Sequence, residues 1–115
     1  MPRDSRIYLE DILAASARIR SYVGVMALDD FRRDGKTVDA VVRNLEIIGE
    51  AVKRLPEDVR ARDSSVEWAK IAGLRDILIH AYSSVDLDII WDVVANKLPG
   101  LENRVRALLQ KSDGR

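Results

Sequence analysis

Arg75-Asp76-Ile77-Leu78-Ile79-His80-Ala81-Tyr82 sets a guanidinium, a carboxylate, an imidazole and a phenol within one short, otherwise apolar stretch, and His80 is the only histidine. Arginine is permanently charged, and its planar fork matches the oxygens of a phosphate. A lone imidazole exchanges protons near neutral pH. Together they suit RNA cleavage without a metal ion. The imidazole helps the 2′-hydroxyl attack the adjacent phosphate, the guanidinium stabilises the charge that develops, and the product carries a cyclic phosphate end. The alternative is a satisfied Arg–Asp–His network that locks helix packing or a dimer seam. Unpaired buried charge is costly, so one form of compensation or the other is required.

Helix geometry limits what this stretch does alone. Residues advance by about 100° each, so Asp76 and His80 share a line and are placed to hydrogen-bond, which would fix the imidazole's tautomer. Arg75 and Tyr82 fall nearly on another line. Arg75 and His80 are about 140° apart, and one helix does not converge their heads. A two-fold axis beside the helix would let Arg75, His80 and Tyr82 of two copies face each other across a narrow cleft. The expectation is a shared site between two subunits.

The elements that must position these residues follow from periodicity and punctuation. Asp4 or Ser5 caps a first helix ending at about Val23, with Gly24 as its stop and Leu9, Ile12, Leu13, Ser16, Ile19 and Val23 inside. A short helical piece spans 28–33, with Phe31 plugging one end of the bundle. Asp34-Gly35-Lys36 breaks it, and Thr37 caps a second long helix over 38–55. Val38, Val41, Val42, Leu45, Ile48, Gly49 and Val52 form its apolar stripe. A helical glycine costs about 1 kcal/mol relative to alanine, so Gly49 predicts close approach of a neighbouring helix. Arg43, Glu46 and Glu50 line another face, where the plain reading is a solvated ladder of ion pairs.

Pro56 starts a short helix to about Arg62. Ser64 or Ser65 caps the third long helix, over 66–82, with Trp68, Ile71, Leu74, Leu78 and Ile79 in the core. Asp86 opens another helix with Leu87, Ile90, Trp91 and Val94 inward. Pro99-Gly100 either kinks that helix or separates it from a last one over 101–110, and the tail 112–115 should fray. Trp68 and Trp91 read as packing anchors, and Tyr8 and Tyr22 as packing residues with wet hydroxyls. The fold class is all-α, an up-and-down bundle of four to five helices forming one domain over 1–115.

Composition removes several function classes. Lys+Arg and Asp+Glu are both 19, so no general basic coat for nucleic acid exists. Local basic patches at Arg32-Arg33 and Lys53-Arg54 remain, the first reading more readily as a solvated turn. Without cysteine and with one histidine, thiolate and multi-imidazole metal sites are excluded. No apolar run approaches the roughly 18 residues that span a bilayer, and the N-terminus lacks the order of a secretory signal. The expectation is a cytoplasmic protein with no metal and no cofactor.

The motif resembles R-x-x-x-x-H-x-Y of HEPN-domain toxins (higher eukaryotes and prokaryotes nucleotide-binding), in their HepT-like branch. Leu45-Glu46-Ile47-Ile48-Gly49-Glu50-Ala51, Trp68-Ala69-Lys70-Ile71-Ala72-Gly73-Leu74-Arg75 and Asp86-Leu87-Asp88-Ile89-Ile90-Trp91 extend the likeness over about residues 5–110. The resemblance implies a helical homodimer with its motifs at the interface, acting as a metal-independent endoribonuclease toxin of a type VII-like toxin–antitoxin pair. It implies an RNA substrate and an MntA-type nucleotidyltransferase antitoxin that transfers AMP to Tyr82. Arg75 then binds phosphate, His80 is the acid/base, and Asp76, Glu50 and Arg43 support the cleft. Asp76 stands where the family often has asparagine, adding negative charge where phosphate must approach. The competing reading is a non-catalytic module that binds a nucleotide or the nucleotidyltransferase.

Overall fold

The computed structural model describes residues 2–113. Its helices are α1 (Arg3–Val23), α2 (Leu28–Arg33), α3 (Gly35–Arg54), α4 (Glu57–Arg60), α5 (Trp68–His80), α6 (Leu87–Asp92) and α7 (Leu98–Asp113). A 3-10 turn occupies Tyr82–Ser84 and a π turn Val93–Lys97. No strand occurs among the described residues. The all-α expectation holds, with α1, α3, α5 and α7 as the long helices, and none is long and apolar enough to cross a membrane.

The periodic stripes become the core. Every stripe residue of α3 is buried, from Val38 to Val52. Leu9, Ile12, Ser16 and Ile19 of α1 are buried too, while Leu13 and Val23 are partly so. Phe31 is fully buried and packs tilted against Trp91, with ring centroids 5.2 Å apart. The Trp68 indole N–H lies 3.0 Å from both the Arg60 and Asp63 carbonyl oxygens, pinning the start of α5 to the α4 connection. Gly24 closes α1 at φ 55° and donates its N–H to the Arg20 carbonyl, as its place after the last periodic residue predicted.

Several local expectations fail for identifiable reasons. Pro2, not Asp4 or Ser5, precedes α1, and Ser5 is buried. Asp34 rather than Thr37 caps α3, its carboxylate accepting the Thr37 N–H at 3.1 Å, so the helix starts earlier at Gly35. At α5, Asp63 accepts the Ser65 N–H, and neither Ser64 nor Ser65 caps the helix. Pro99 is the second residue of α7, and the helical run from Leu87 continues through it, so the two helices are not separated there. Pro99 comes just after the π turn, in which the Leu98 N–H reaches the Val93 carbonyl. The tail is helical through Asp113, and Gly114 and Arg115 lie outside the described residues. Tyr22 is exposed, not packed. Arg32 and Arg33 pair with Asp88 and Asp30.

Packing runs α5 to α3 to α1 to α7. Glu102 of α7 is buried and receives a forked ion pair from Arg20 of α1, at 2.7 Å for the closest contact. Buried Asn44 is satisfied on both sides, by Arg18 at 2.7 Å and by the Ala40 carbonyl at 2.9 Å. Helix α5 is therefore at the margin. Its inner face rests on α3, and an open groove of about 680 Å³ lies between it and α7.

Candidate active site at the α3–α5 seam

Gly49 sets the seam. A Cβ built there would sit 2.2 Å from Arg75 Cβ and 3.2 Å from the Ile71 carbonyl oxygen, so only glycine allows α5 this close. The Arg75 stem lies on the bare α3 backbone, and its guanidinium is held on two sides. Nη2 is 3.2 Å from Glu50 Oε1, and Nη1 is 3.1 Å from Asp76 Oδ1. Arg75, Glu50 and Arg43 share a cleft of about 300 Å³ whose walls include Tyr8, Arg54, Ile47 and Ile79. The structure thus brings together three of the residues expected at the site. Arg43 sits at the rim, largely exposed and 3.9 Å from Glu46.

Asp76 behaves differently from expectation. It accepts from Arg75 and, at 3.2 Å, from Lys53, and makes no hydrogen bond to His80. These two cations, Arg75 first, hold its carboxyl below the usual carboxylate range. The imidazole N–H four residues on, a neutral donor on the same line, loses to these cationic donors because charge-assisted bonds are the stronger ones. Asp76 thus screens Arg75 and leaves the imidazole unoriented.

His80 is exposed and has no hydrogen-bond partner among the described residues. It closes α5 and does not line the Arg75 cleft. Tyr82 is not on the helix, which ends at His80, so it does not share a helical line with Arg75. It sits in the 3-10 turn, where its hydroxyl donates to Asp39 of α3. Asp39 was not legible as a partner, because its tie to Tyr82 spans 43 positions and crosses helices. Nor was Ile79 legible as exposed. It was expected in the core, yet Ile77 and Ile79 are 53% and 43% exposed, and only Leu78 between them is buried.

The Asp39 contact has a measurable consequence. Hydrogen bonding to the carboxylate, aided by partial burial, raises the Tyr82 pKa above the ordinary phenol value. A raised folded-state pKa adds stability that is present below the unfolded phenol's range and is lost as pH rises through the folded value. Asp39→Asn should therefore bring the Tyr82 titration down, measured as tyrosinate absorbance against a Tyr82→Phe blank. An unchanged titration would mean the contact does not persist in solution.

A family model described as "Ribonuclease HepT-like" matches residues 12–108. A protein of Methanocaldococcus jannaschii provisionally named an RNase is 43% identical over 99% of this chain and 95% of its own. One of Caldanaerobacter subterraneus subsp. tengcongensis, also provisionally named an RNase, is 45% identical over 92% of this chain and 95% of its own. The "Probable ribonuclease HepT" of Thermococcus cleftensis is 40% identical over 94% and 98%. No solved structure matches the chain.

Proposed function

The chain belongs to the HepT-like ribonuclease family, and from that premise we propose that it is a metal-independent endoribonuclease acting as a homodimer. The observation that carries the reading is His80, solvent-exposed and unpartnered at the end of the helix that seats Arg75 on Gly49. An imidazole with no structural duty is free to move a proton. The Arg75 guanidinium opens onto the cleft and gives its fork to a phosphate that displaces a carboxylate partner. His80 takes the proton of the RNA 2′-hydroxyl as that oxygen attacks the adjacent phosphorus. Arg75 stabilises the oxygens that gain charge, the P–O5′ bond breaks, and the departing 5′-oxygen takes a proton from the imidazolium or from water, leaving a 2′,3′-cyclic phosphate and a 5′-hydroxyl. The test is single-stranded RNA incubated with the purified protein in excess chelator, with product ends identified. RNA left intact overturns the assignment.

The dimer rests on α5 itself, which packs its inner face on α3 and leaves Ile77, toward the α7 groove, and Ile79, toward the Arg75 cleft, exposed on either side of its outward face. Large apolar side chains left exposed on one helix mark an interaction surface. A Cβ at Gly73 would meet nothing in this chain, so that helical glycine has no internal packing reason, and a second chain supplies one. Pairing two α5 helices along this face puts the two His80 side chains beside each other and supplies the convergence that one copy lacks. Ile77→Glu with Ile79→Glu should raise the dimer dissociation constant by at least ~100-fold, from the apolar area lost. RNA cleavage should fall in parallel while helical content holds. Light scattering that shows an unchanged dimer would remove this face as the seam.

Within this reading the protein is the toxin of a type VII-like pair, and a nucleotidyltransferase antitoxin silences it by adding AMP to Tyr82. The added phosphate would bring negative charge beside the site and repel an RNA phosphate. Mass spectrometry of the co-expressed pair tests the transfer, with Tyr82→Phe as the unmodified control. The Asp76 carboxylate beside Arg75 favours a second reading, a module that presents Tyr82 without cutting RNA. Modification at Tyr82 together with intact RNA would select it.

A further inference from the structure

Glu50 stands between two guanidiniums. Its Oε2 accepts from Arg54 Nε at 2.9 Å, and its Oε1 lies 3.2 Å from Arg75 Nη2. One anionic oxygen serves each fork, the same division of labour by which two arginines hold the non-bridging oxygens of a phosphodiester. Tyr8 lines the same cleft as Arg54 and Glu50. The bridge is not sealed into the core. Arg54 is 58% and Glu50 39% exposed, and both open onto the cleft that Arg75 lines. Exposed pairs one helical turn apart contribute little to stability, so a polyanion can replace this carboxylate at small cost to the fold.

We propose that Arg54 is a second phosphate-binding residue beside Arg75, and that Glu50 is the resident anion an RNA phosphate displaces. This deepens the ribonuclease reading and rests on it. Glu50 then competes with substrate. It holds the two guanidiniums in place in the free protein, and swings to solvent when RNA enters. The two partners of one ion pair should therefore shift RNA affinity in opposite directions when neutralised. A merely structural bridge would shift both the same way, because either change breaks it.

The experiment uses the full chain with His80→Ala, so that bound RNA is not cut, and a labelled single-stranded RNA oligonucleotide followed by fluorescence anisotropy across salt concentrations. Glu50→Gln should tighten binding by about fivefold, and Glu50→Ala should agree in direction. Arg54→Gln should weaken it by about tenfold and make the salt dependence shallower by about 0.7 in log–log slope, one phosphate contact on a single strand. Arg54→Lys should keep the slope and lose part of the affinity. Unchanged or weaker binding in both Glu50 variants, or parental affinity in Arg54→Gln, overturns the proposal. Failure of the parent chain to cut RNA while these shifts persist would sink the ribonuclease assignment alone.

Discussion

His80→Ala should cut RNA ~10²–10⁴-fold more slowly than the parent, the range typical of losing a positioned general acid or base. The loss should be chemical, not structural. His80 is exposed and holds no partner among the described residues, so the variant's thermal midpoint should match the parent's. Arg75→Ala should lose ~10²–10³-fold, as when one donor to a developing oxyanion is removed. Here the fold also suffers, because the Arg75 stem covers the bare backbone at Gly49 and its head neutralises Glu50 and Asp76. Arg75→Lys separates the two effects. It keeps a stem and a charge but loses the planar fork, and should fall between Arg75→Ala and the parent. Initial rates on one RNA in chelator decide the matter, and equal rates in all variants would remove the ribonuclease assignment.

Gly49→Ala is the substitution with the largest expected effect on the fold. Alanine is the better helix former by about 1 kcal/mol, so the change would stabilise an isolated α3. The new methyl would sit 2.2 Å from Arg75 Cβ and 3.2 Å from the Ile71 carbonyl, and neither is the loose end of a flexible side chain. α5 must move bodily. Overpacking of this kind costs about 1–3 kcal/mol, a fall of roughly 5–15 °C in thermal midpoint for a domain of this size. The same shift carries Arg75 away from Glu50 and should depress RNA cleavage as well. Gly100→Ala gives the opposite sign. A Cβ there meets nothing, and the helix gain of up to about 1 kcal/mol should appear as a higher midpoint. A neutral Gly49→Ala would refute the close α3–α5 contact, and a destabilised Gly100→Ala would refute the open space at that position.

Periodicity placed the long helices and the α3 stripe, because burying an apolar face imposes a repeat visible in any single sequence, and the cost of a helical glycine pointed to the close approach at Gly49. The candidate residues were visible too, since arginine, histidine and tyrosine at that spacing are chemically distinctive. Their partners were not. Asp76 turned to Lys53 and Arg75 instead of His80, and Tyr82 left the helix to meet Asp39. Local spacing says which groups share a helical line, but not which cations stand nearer on another helix. The outward turn of Ile79 and the Glu50 bridge between Arg54 and Arg75 were settled by where α5 lands on α3. Contacts between residues far apart in the chain come from packing many side chains at once, and leave no periodic trace in the sequence.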